Sequence, residues 1–392
     1  MHAIDQLQEY MRQQRIDAWL LYDFRGNNPI FAQILPGKRW TTRRAVLLIP
    51  ATGDATLLAH RIDEHQFKKL ETTIEWYLSW QDFRDCLARK LSGGGRVAME
   101  YVPGGALPVV SIIDAGTVEM IRSLGVEVVS SANLIQIQVA RWSPGARKAH
   151  DQASAEVARI KDEAFQLVRV RLAKGPSPTE YEVQQHIVAR FQHAGLEASE
   201  PPIVAVNAHS GDPHFEPSAT APAQIKKGDW LLLDLWARRP GDENIFSDIT
   251  WVAFAGSEIP AKHREVFNVV KAARDGVVAR AQKAWSAKER LQGWQLDEVA
   301  RKVIIEAGYE KYIRHRTGHS LSPGPAVHGV GVNIDNLETH DTREILPGIG
   351  FTVEPGIYLP EFGVRLEINV FIDPQAGPVV TSCHQHDIVL LG

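Results

Sequence analysis

Over residues 1–142, hydrophobic positions switch between a helical period and a strand-like period. Ile4, Leu7 and Met11 follow the helical spacing near the start of the chain. Short apolar runs, which are typical of strands, follow at 18–23, 45–50, 55–60, 96–101 and 126–131. The runs AVLLIP and ATLLAH flank the turn sequence ATGD, which predicts a β-hairpin. We therefore expect an α/β domain over residues 1–142.

A helix start signal marks the predicted boundary between this domain and the rest of the chain. Ser143 is a suitable N-cap, and Pro144 is favoured at the first helical position. Helical patterns run from there to Arg171, from Pro178 to Gly195, and later over 260–285 and 295–308. Apolar runs that predict strands are IVAVN, WLLLDLWA, FSDITWVAFAG, GIGFTVEPGIYL and GVRLEINVFI. Residues 143–392 are thus expected to form a second domain that mixes strands and helices.

Composition and charge narrow the class of protein. Of the 392 residues, 44% are hydrophobic and 23% are charged, as in soluble globular proteins, and this length suits more than one core. A net charge of −4 argues against nucleic acid or a membrane surface as a partner. Two cysteines exclude a disulfide framework, and the polar N-terminal segment lacks the apolar core of a signal peptide. We expect a cytoplasmic protein with no membrane-spanning helix.

Five side chains of metal-binding type lie in apolar or glycine-rich segments of the second domain. These side chains are Asp234, Asp248, His319, Glu354 and Glu367. Four carboxylates buried together would repel one another and lose hydration unless cations neutralised them. Two divalent cations supply the matching positive charge, and oxygen donors with one imidazole suit Mn²⁺, Co²⁺ or Zn²⁺. The pattern therefore predicts a dinuclear metal site and hydrolytic chemistry.

The turn sequence between the first two carboxylates predicts how they meet. Pro240-Gly241-Asp242 lies midway between Asp234 and Asp248, which fits two antiparallel strands that carry both carboxylates on one face. Pro355-Gly356 and Phe362-Gly363 separate Glu354 from Glu367, so we expect a second pair of antiparallel strands to bring these two carboxylates together.

These five segments closely resemble, in order, the signature segments of the creatinase/prolidase metallopeptidase family. The resemblance covers residues 143–392. It implies an α/β N-terminal domain followed along the chain by an α+β "pita-bread" catalytic domain. In that family's scheme Asp234 would chelate one cation, Asp248 and Glu367 would bridge both, and His319 and Glu354 would complete the second. A hydroxide held between the cations would be the nucleophile, with Glu354 as general base.

The resemblance also implies roles for three further histidines and one arginine. His214 in GDPHFEP and His328 in AVHG would steady the substrate carbonyl and the tetrahedral oxyanion. His315 opens the family's H-x-x-G-H segment and would contact substrate. Arg365 shares a strand face with the last carboxylate, where it would orient a ligand carboxylate or bind substrate. An ordinary loop or core histidine remains the alternative for each of the three.

The segment GHSLSPGPAVHG departs from the family pattern G-H-x-x-G-x-x-V-H-[ED]. It is two residues longer and has Gly329 in place of the acid, so the loop that carries His328 is expected to take a different path. Some prolidases hold the dipeptide's terminal carboxylate with an arginine, at whose offset this chain has His340. Arg343 lies nearby and is always charged. We therefore predict Arg343 or Arg365 as the carboxylate-binding residue and favour dipeptides over longer peptides.

The expected function is hydrolysis of the imide bond before proline in small peptides with proline at the second position, with two cations per chain, Mn²⁺ first. Aminopeptidase P activity on longer Xaa-Pro-Yaa peptides is the alternative. The extra N-terminal domain disfavours a methionine aminopeptidase. A binding protein, or a metal-free relative such as creatinase, would lose ligand carboxylates that are all present here. Relatives often form homodimers in which the N-terminal domain borders the partner's site, so we expect a homodimer with Arg39 or Trp40 in that position.

Overall fold

The computed structural model describes residues 3–35, 37 and 40–392, so Arg39 lies outside the described residues. The chain divides into two compact units, Met1–Val139 and Ala140–Gly392. Trp142, which the sequence placed at the end of the first domain, belongs to the second unit. Its ring stacks on Phe371, with centroids 4.9 Å apart, and its Nε1 donates to the carbonyl of Leu321 at 2.7 Å. The boundary therefore falls before Trp142 because this large ring is buried in the second core.

The first unit is built on one mixed sheet. Its strands are β1 (Ala18–Phe24), β2 (Arg44–Pro50), β3 (Thr56–His60), β4 (Thr73–Tyr77), β5 (Arg96–Met99) and β6 (Glu127–Ser130). Their order in the sheet is β4-β3-β2-β1-β5-β6, with β1–β2 and β2–β3 antiparallel and the other pairs parallel. The predicted hairpin around ATGD is confirmed as β2–β3. Strand β4 was not predicted.

Helices of the first unit alternate with these strands except at the β2–β3 hairpin, as is typical of an α/β domain. They are α1 (Ala3–Gln13), α2 (Pro29–Ile34), α3 (Glu64–Phe67), α4 (Trp80–Lys90), α5 (Ala115–Arg122) and α6 (Ala132–Ile135). Local capping fixes their starts: Ser79 and Asp82 form a capping box at α4, and the Asp114 side chain accepts from the backbone N–H of Thr117 at α5.

A buried carboxylate, Glu100, joins three parts of the first unit. It accepts hydrogen bonds from Trp19 Nε1 at 2.7 Å, Asn28 Nδ2 at 2.9 Å and Ser131 Oγ at 3.2 Å. Its side chain is fully shielded from solvent. Burial raises the pKa of Glu100 from about 4.5 to about 7, although the three donors oppose that shift.

The second unit contains four long helices. They are α7 (Pro144–Lys174), α8 (Glu180–His193), α9 (Ala261–Ser286) and α10 (Gly293–Glu306). The predicted start of α7 is confirmed, because Ser143 accepts from the backbone N–H of Ala146 and Pro144 is the first helical residue. Apolar side chains of α7 and α8 pack on three strands of the unit in one core. None of the helices in the described part of the chain is long and apolar enough to cross a bilayer.

The strands of the second unit form two four-stranded sheets and one two-stranded sheet. They are β7 (Ile203–Val206), β8 (Trp230–Ala237), β9 (Ser247–Phe254), β10 (Ser320–Leu321), β11 (Gly350–Val353), β12 (Gly356–Tyr358), β13 (Gly363–Arg365), β14 (Ile368–Asp373), β15 (Gly377–Val380) and β16 (Val389–Leu390). The orders are β16-β9-β8-β7, β10-β11-β14-β15 and β12-β13. The runs predicted as single strands at GIGFTVEPGIYL and GVRLEINVFI are each broken in two, at Glu354-Pro355 and at Leu366-Glu367.

Asn369 of β14 holds the two larger sheets together. Its side-chain amide accepts from the backbone N–H of Asp248 at 3.0 Å and donates to the carbonyl of Asp248 at 2.5 Å. The backbone N–H of Glu367 also donates to the carbonyl of Thr250 at 3.2 Å. Strands β9 and β14 therefore lie side by side where their sequences carry acidic residues.

Candidate metal centre

The β8–β9 hairpin brings two of the predicted ligands to one face. In its antiparallel register Asp234 lies opposite Thr250, and Trp236 lies opposite Asp248. Asp234 and Asp248 are therefore diagonal neighbours, because residues two apart on a strand point to the same side. Both carboxylates are buried, at 8% and 4% exposure. The hairpin predicted from Pro240-Gly241-Asp242 is confirmed.

The β11–β14 pair places the other two carboxylates. Val353 lies opposite Ile368, so Glu354 and Glu367 follow and precede a matched pair at the same end of the two strands. The strand breaks at these two residues separate the β12–β13 pair from the sheet that contains β11 and β14. The predicted second pair of antiparallel strands is thus confirmed, and each strand is interrupted at its acidic residue.

Backbone contacts with β11 fix the position of His319. Its carbonyl accepts from the N–H of Thr352 at 2.8 Å, and its N–H donates to Thr352 Oγ1 at 2.9 Å. A Cβ atom at Gly318 would clash with the carbonyl oxygen of Thr352, so the residue before His319 has to be glycine. The imidazole Nδ1 donates to the carbonyl of Ser320 at 3.1 Å, which leaves Nε2 as the ligand atom.

The side chains converge at distances that suit a shared cation. His319 Nε2 lies 3.4 Å from Asp248 Oδ2 and 3.6 Å from Glu354 Oε1. Ligand atoms of Asp248, His319 and Glu367 all lie within 4.8 Å of one another. Imidazole and carboxylate groups at these separations can hold a divalent cation.

Electrostatics of the cluster agree with cation binding. Burial raises the pKa of Asp248 and Glu367 well above the ordinary range, and repulsion among the four carboxylates raises it further. Burial lowers the pKa of His319, which favours the neutral imidazole that metals bind. Asp234 Oδ1 and Glu367 Oε1 are buried without a hydrogen-bond partner among the described residues. Orphaned carboxylate oxygens beside a neutral imidazole fit a metal site, because such atoms otherwise destabilise the fold.

Arg365 lies beside the cluster, as predicted, and connects it to two residues that the sequence did not single out. Its guanidinium forms an ion pair with Asp234 and donates to Thr250 Oγ1 at 3.0 Å and to Tyr358 Oη at 2.9 Å. The Thr250 hydroxyl donates to Glu367 Oε2 at 2.9 Å. Period-two spacing from Asp248 was the available signal for Thr250.

A cavity of about 910 Å³ opens onto this cluster. All five candidate ligands line it, together with His214, His328, His315 and Arg365. The His328 ring lies against His319, with centroids 4.1 Å apart. Repulsion from His319, and then burial, lower the pKa of His328 to about 3, so this imidazole is neutral at pH 7. The histidines predicted to face substrate therefore do line the same cavity as the metal ligands.

His315 reaches the cavity wall with both ring nitrogens engaged. Nδ1 donates to the carbonyl of Arg316 at 2.6 Å, and Nε2 accepts from the Tyr358 hydroxyl at 2.5 Å. Burial lowers the pKa of His315 to about 4. This side chain therefore orients Tyr358, which in turn accepts from Arg365.

The structure does not bring Arg343 to the cavity, which corrects its prediction as a carboxylate-binding residue. Asp341, two residues earlier, forms a buried ion pair with its guanidinium at 2.6 Å, and the carbonyl of Val330 takes another N–H at 2.8 Å. Arg343 is 1% exposed, so no substrate reaches it. His340 also lies elsewhere: its ring packs against Trp294 and its Nδ1 contacts Asn336 Oδ1 at 2.7 Å.

Comparison with known proteins agrees with this site. The sequence model of metallopeptidase family M24 matches residues 152–374. An Xaa-Pro dipeptidase of Pyrococcus furiosus is 32% identical over 184 residues, which cover 46% of this chain and 47% of that protein. Matches to other curated relatives likewise span only about half to three-fifths of those proteins.

Solved structures resemble the whole chain. Dipeptidase PepE from Mycobacterium ulcerans superposes with a TM-score of 0.71 at 20% identity, covering 99% of this chain and 97% of that one. An X-prolyl aminopeptidase from Caenorhabditis elegans, described as a cytosolic enzyme with a di-nuclear active site, gives 0.63 at 16% identity, covering 99% and 63%. The predicted fold, an α/β N-terminal domain followed by an α+β pita-bread domain, is confirmed.

Proposed function

This chain belongs to metallopeptidase family M24, and we propose that it hydrolyses the imide bond before proline in short peptides with two bound divalent cations. The observation that carries the proposal is the convergence of three buried carboxylates, the partly exposed carboxylate of Glu354 and one imidazole in the wall of a single cavity. The names of the similar proteins support the same chemistry. Proline lacks an N–H, so a peptidase for this bond needs a pocket of its own.

The division of the five candidate ligands between two cations follows the scheme that the family resemblance implies. Asp234 would hold one cation, Asp248 and Glu367 would bridge both, and His319 and Glu354 would hold the second. Bound divalent cations supply a nucleophilic water at neutral pH and polarise the scissile carbonyl. We expect Mn²⁺, with Co²⁺ or Zn²⁺ as alternatives, because hard oxygen donors dominate the set.

Glu354 is the candidate general base among the carboxylates. Its side chain is 14% exposed toward the cavity, compared with 6% for Asp248. The Thr352 hydroxyl donates to Glu354 Oε1 at 3.0 Å and orients the carboxylate. A carboxylate held in this way can take a proton from an attacking water and pass it to the leaving nitrogen.

His214 and His328 line the cavity and would stabilise charge that develops on the substrate. A neutral imidazole such as that of His328 carries one N–H donor, which it can direct at a carbonyl oxygen that becomes an oxyanion. Arg365 holds Asp234 and would orient this ligand or, as the sequence also suggested, contact substrate.

Two forms of this function differ in the length of the peptide that is cleaved. Dipeptides remain the favoured substrates, although the predicted residue Arg343 cannot bind their carboxylate. Aminopeptidase P activity on longer peptides is the second candidate, because a cavity of about 910 Å³ lies near the upper end of the volumes of ordinary ligand sites.

The expected homodimer also stays a prediction. Light scattering of the purified protein tests it directly.

The deciding assay uses metal-stripped protein reloaded with Mn²⁺, Co²⁺ or Zn²⁺. Ala-Pro, Ala-Pro-amide and Ala-Pro-Ala are compared, with Ala-Ala as a control that lacks proline. Preference for Ala-Pro identifies a dipeptidase, and equal cleavage of the amide and the tripeptide identifies an aminopeptidase P. Faster cleavage of Ala-Ala, or turnover that survives metal removal, would refute the proposal.

A further inference from the structure

Three arginines line the cavity within the described part of the chain: Arg314, Arg316 and Arg365. Two of them already have an acidic partner. Arg365 is paired with Asp234. Arg316 Nη1 lies 2.8 Å from Glu338 Oε2, and its backbone N–H donates to the same carboxylate at 3.0 Å. Their positive charges are therefore compensated before any substrate binds.

Arg314 differs from both neighbours. Its side chain is exposed, and its Nη1 donates to the backbone carbonyl of Lys311 at 3.1 Å. A neutral carbonyl holds the guanidinium in place without cancelling its charge. No carboxylate of the described residues lies within ion-pair distance of it. Four of its five N–H donors thus stay available, including a pair with the fork geometry that matches a carboxylate.

Other cationic candidates in this region are unsuitable as partners for a substrate carboxylate. Arg343 is buried with Asp341. Both ring nitrogens of His315 are engaged, by the carbonyl of Arg316 and the hydroxyl of Tyr358, and the ring of His328 packs against the candidate ligand His319. Arg314 immediately precedes His315, and its side chain lines the same cavity as the five candidate metal ligands.

We propose that Arg314 binds the terminal carboxylate of an Xaa-Pro dipeptide and thereby sets the preference for free dipeptides. This inference rests on the proposed function and names the residue on which its substrate class depends. A guanidinium–carboxylate contact is charge-assisted and bidentate, so it is stronger than a hydrogen bond between neutral groups. An amidated or extended peptide lacks that carboxylate and gains nothing from Arg314.

The test compares wild type with Arg314→Ala and Arg314→Lys on Ala-Pro and Ala-Pro-amide. We expect Arg314→Ala to raise KM for Ala-Pro by about 10- to 100-fold, the range for a hydrogen bond to a charged group, with little change in kcat. Activity on Ala-Pro-amide should stay within about threefold of wild type, which is the ordinary effect of an exposed substitution. Arg314→Lys should recover part of the loss, because it keeps the charge without the fork.

Lys311→Ala is the matched control. It removes a positive charge from the same exposed segment and keeps the backbone carbonyl that Arg314 contacts. Equal effects of Lys311→Ala and Arg314→Ala on Ala-Pro would indicate a general charge effect and overturn the assignment. Equal losses on Ala-Pro and Ala-Pro-amide in Arg314→Ala would overturn it too, because the amide has no carboxylate to bind.

Failure of the proposed function would look different. If metal-loaded wild type cleaved neither substrate, titration calorimetry with L-proline and L-prolinamide would still report on Arg314. Tighter binding of proline than of prolinamide, lost in Arg314→Ala, would support the inference without turnover. Equal binding of the two ligands by wild type would reject it.

Discussion

Replacing Glu100 by glutamine tests how the first unit tolerates a buried carboxylate. Glu100 accepts three hydrogen bonds inside the unit, and burial raises its pKa to about 7. The folded state therefore holds a proton on Glu100 at pH values where the unfolded chain has lost it. Stability contributed by the protonated form is fully present below pH 4.5 and is lost as pH rises toward 7.

The size of this loss follows from the two pKa values. A shift from about 4.5 to about 7 corresponds to about 3 kcal/mol in total, of which about 2.5 kcal/mol falls between pH 5 and pH 8. In Glu100→Gln this dependence disappears. The new amide nitrogen faces the Nδ2 donor of Asn28, which costs about 1–3 kcal/mol at every pH. The variant should thus be less stable than wild type at pH 5 and as stable or more stable at pH 8, with a change of about 2.5 kcal/mol in the difference between them.

Urea unfolding of both proteins at several pH values measures the difference directly. Hydrogen exchange of amides in β1 and β5 restricts the comparison to the first unit. Subtracting the two curves of unfolding free energy against pH cancels the contribution of groups that titrate alike in both proteins. Glu119→Gln, at an exposed acid on α5, is the control for the change in net charge. The reasoning is refuted if the Glu100→Gln curve runs parallel to wild type from pH 5 to pH 8.

Further predictions concern the metal centre. Glu367→Ala should retain at most one tightly held cation by elemental analysis and lose activity by orders of magnitude, whereas two retained cations with normal turnover would contradict the ligand assignment. His214→Ala and His328→Ala should each lower kcat by about 10²- to 10³-fold with the metal content unchanged; loss of metal would make that residue a ligand. Metal affinity should fall on acidification, because the raised pKa of Asp248 and Glu367 lets protons compete with the cations for these carboxylates. Equilibrium dialysis from pH 5 to pH 8 checks this, and a flat profile would contradict it.

Local patterns were enough to predict most of the scaffold around the site. A capping serine before a proline fixed the start of α7, and a turn sequence between two apolar runs fixed the β8–β9 hairpin. The presence of acidic residues inside apolar runs then singled out the carboxylates. These features depend on residues that are close in sequence, so pattern and structure agree there.

The sequence did not predict which polar side chains form hydrogen bonds or ion pairs with one another. Arg343 had the charge to bind a carboxylate, but Asp341 takes its guanidinium within the same loop. Tyr358 and Thr250 become important only because the fold places Arg365 between them.

The separation of the ligands along the chain has a kinetic consequence. Asp234 and Glu367 meet only after β8–β9 and β11–β14 have formed and docked through Asn369. Contacts between such distant segments form late in folding, because closing long loops is slow. Cations that need the complete ligand set therefore cannot act as a nucleus for folding, and they stabilise the native state after the rate-limiting step. Metal loading should slow unfolding of the second unit and leave its refolding rate nearly unchanged.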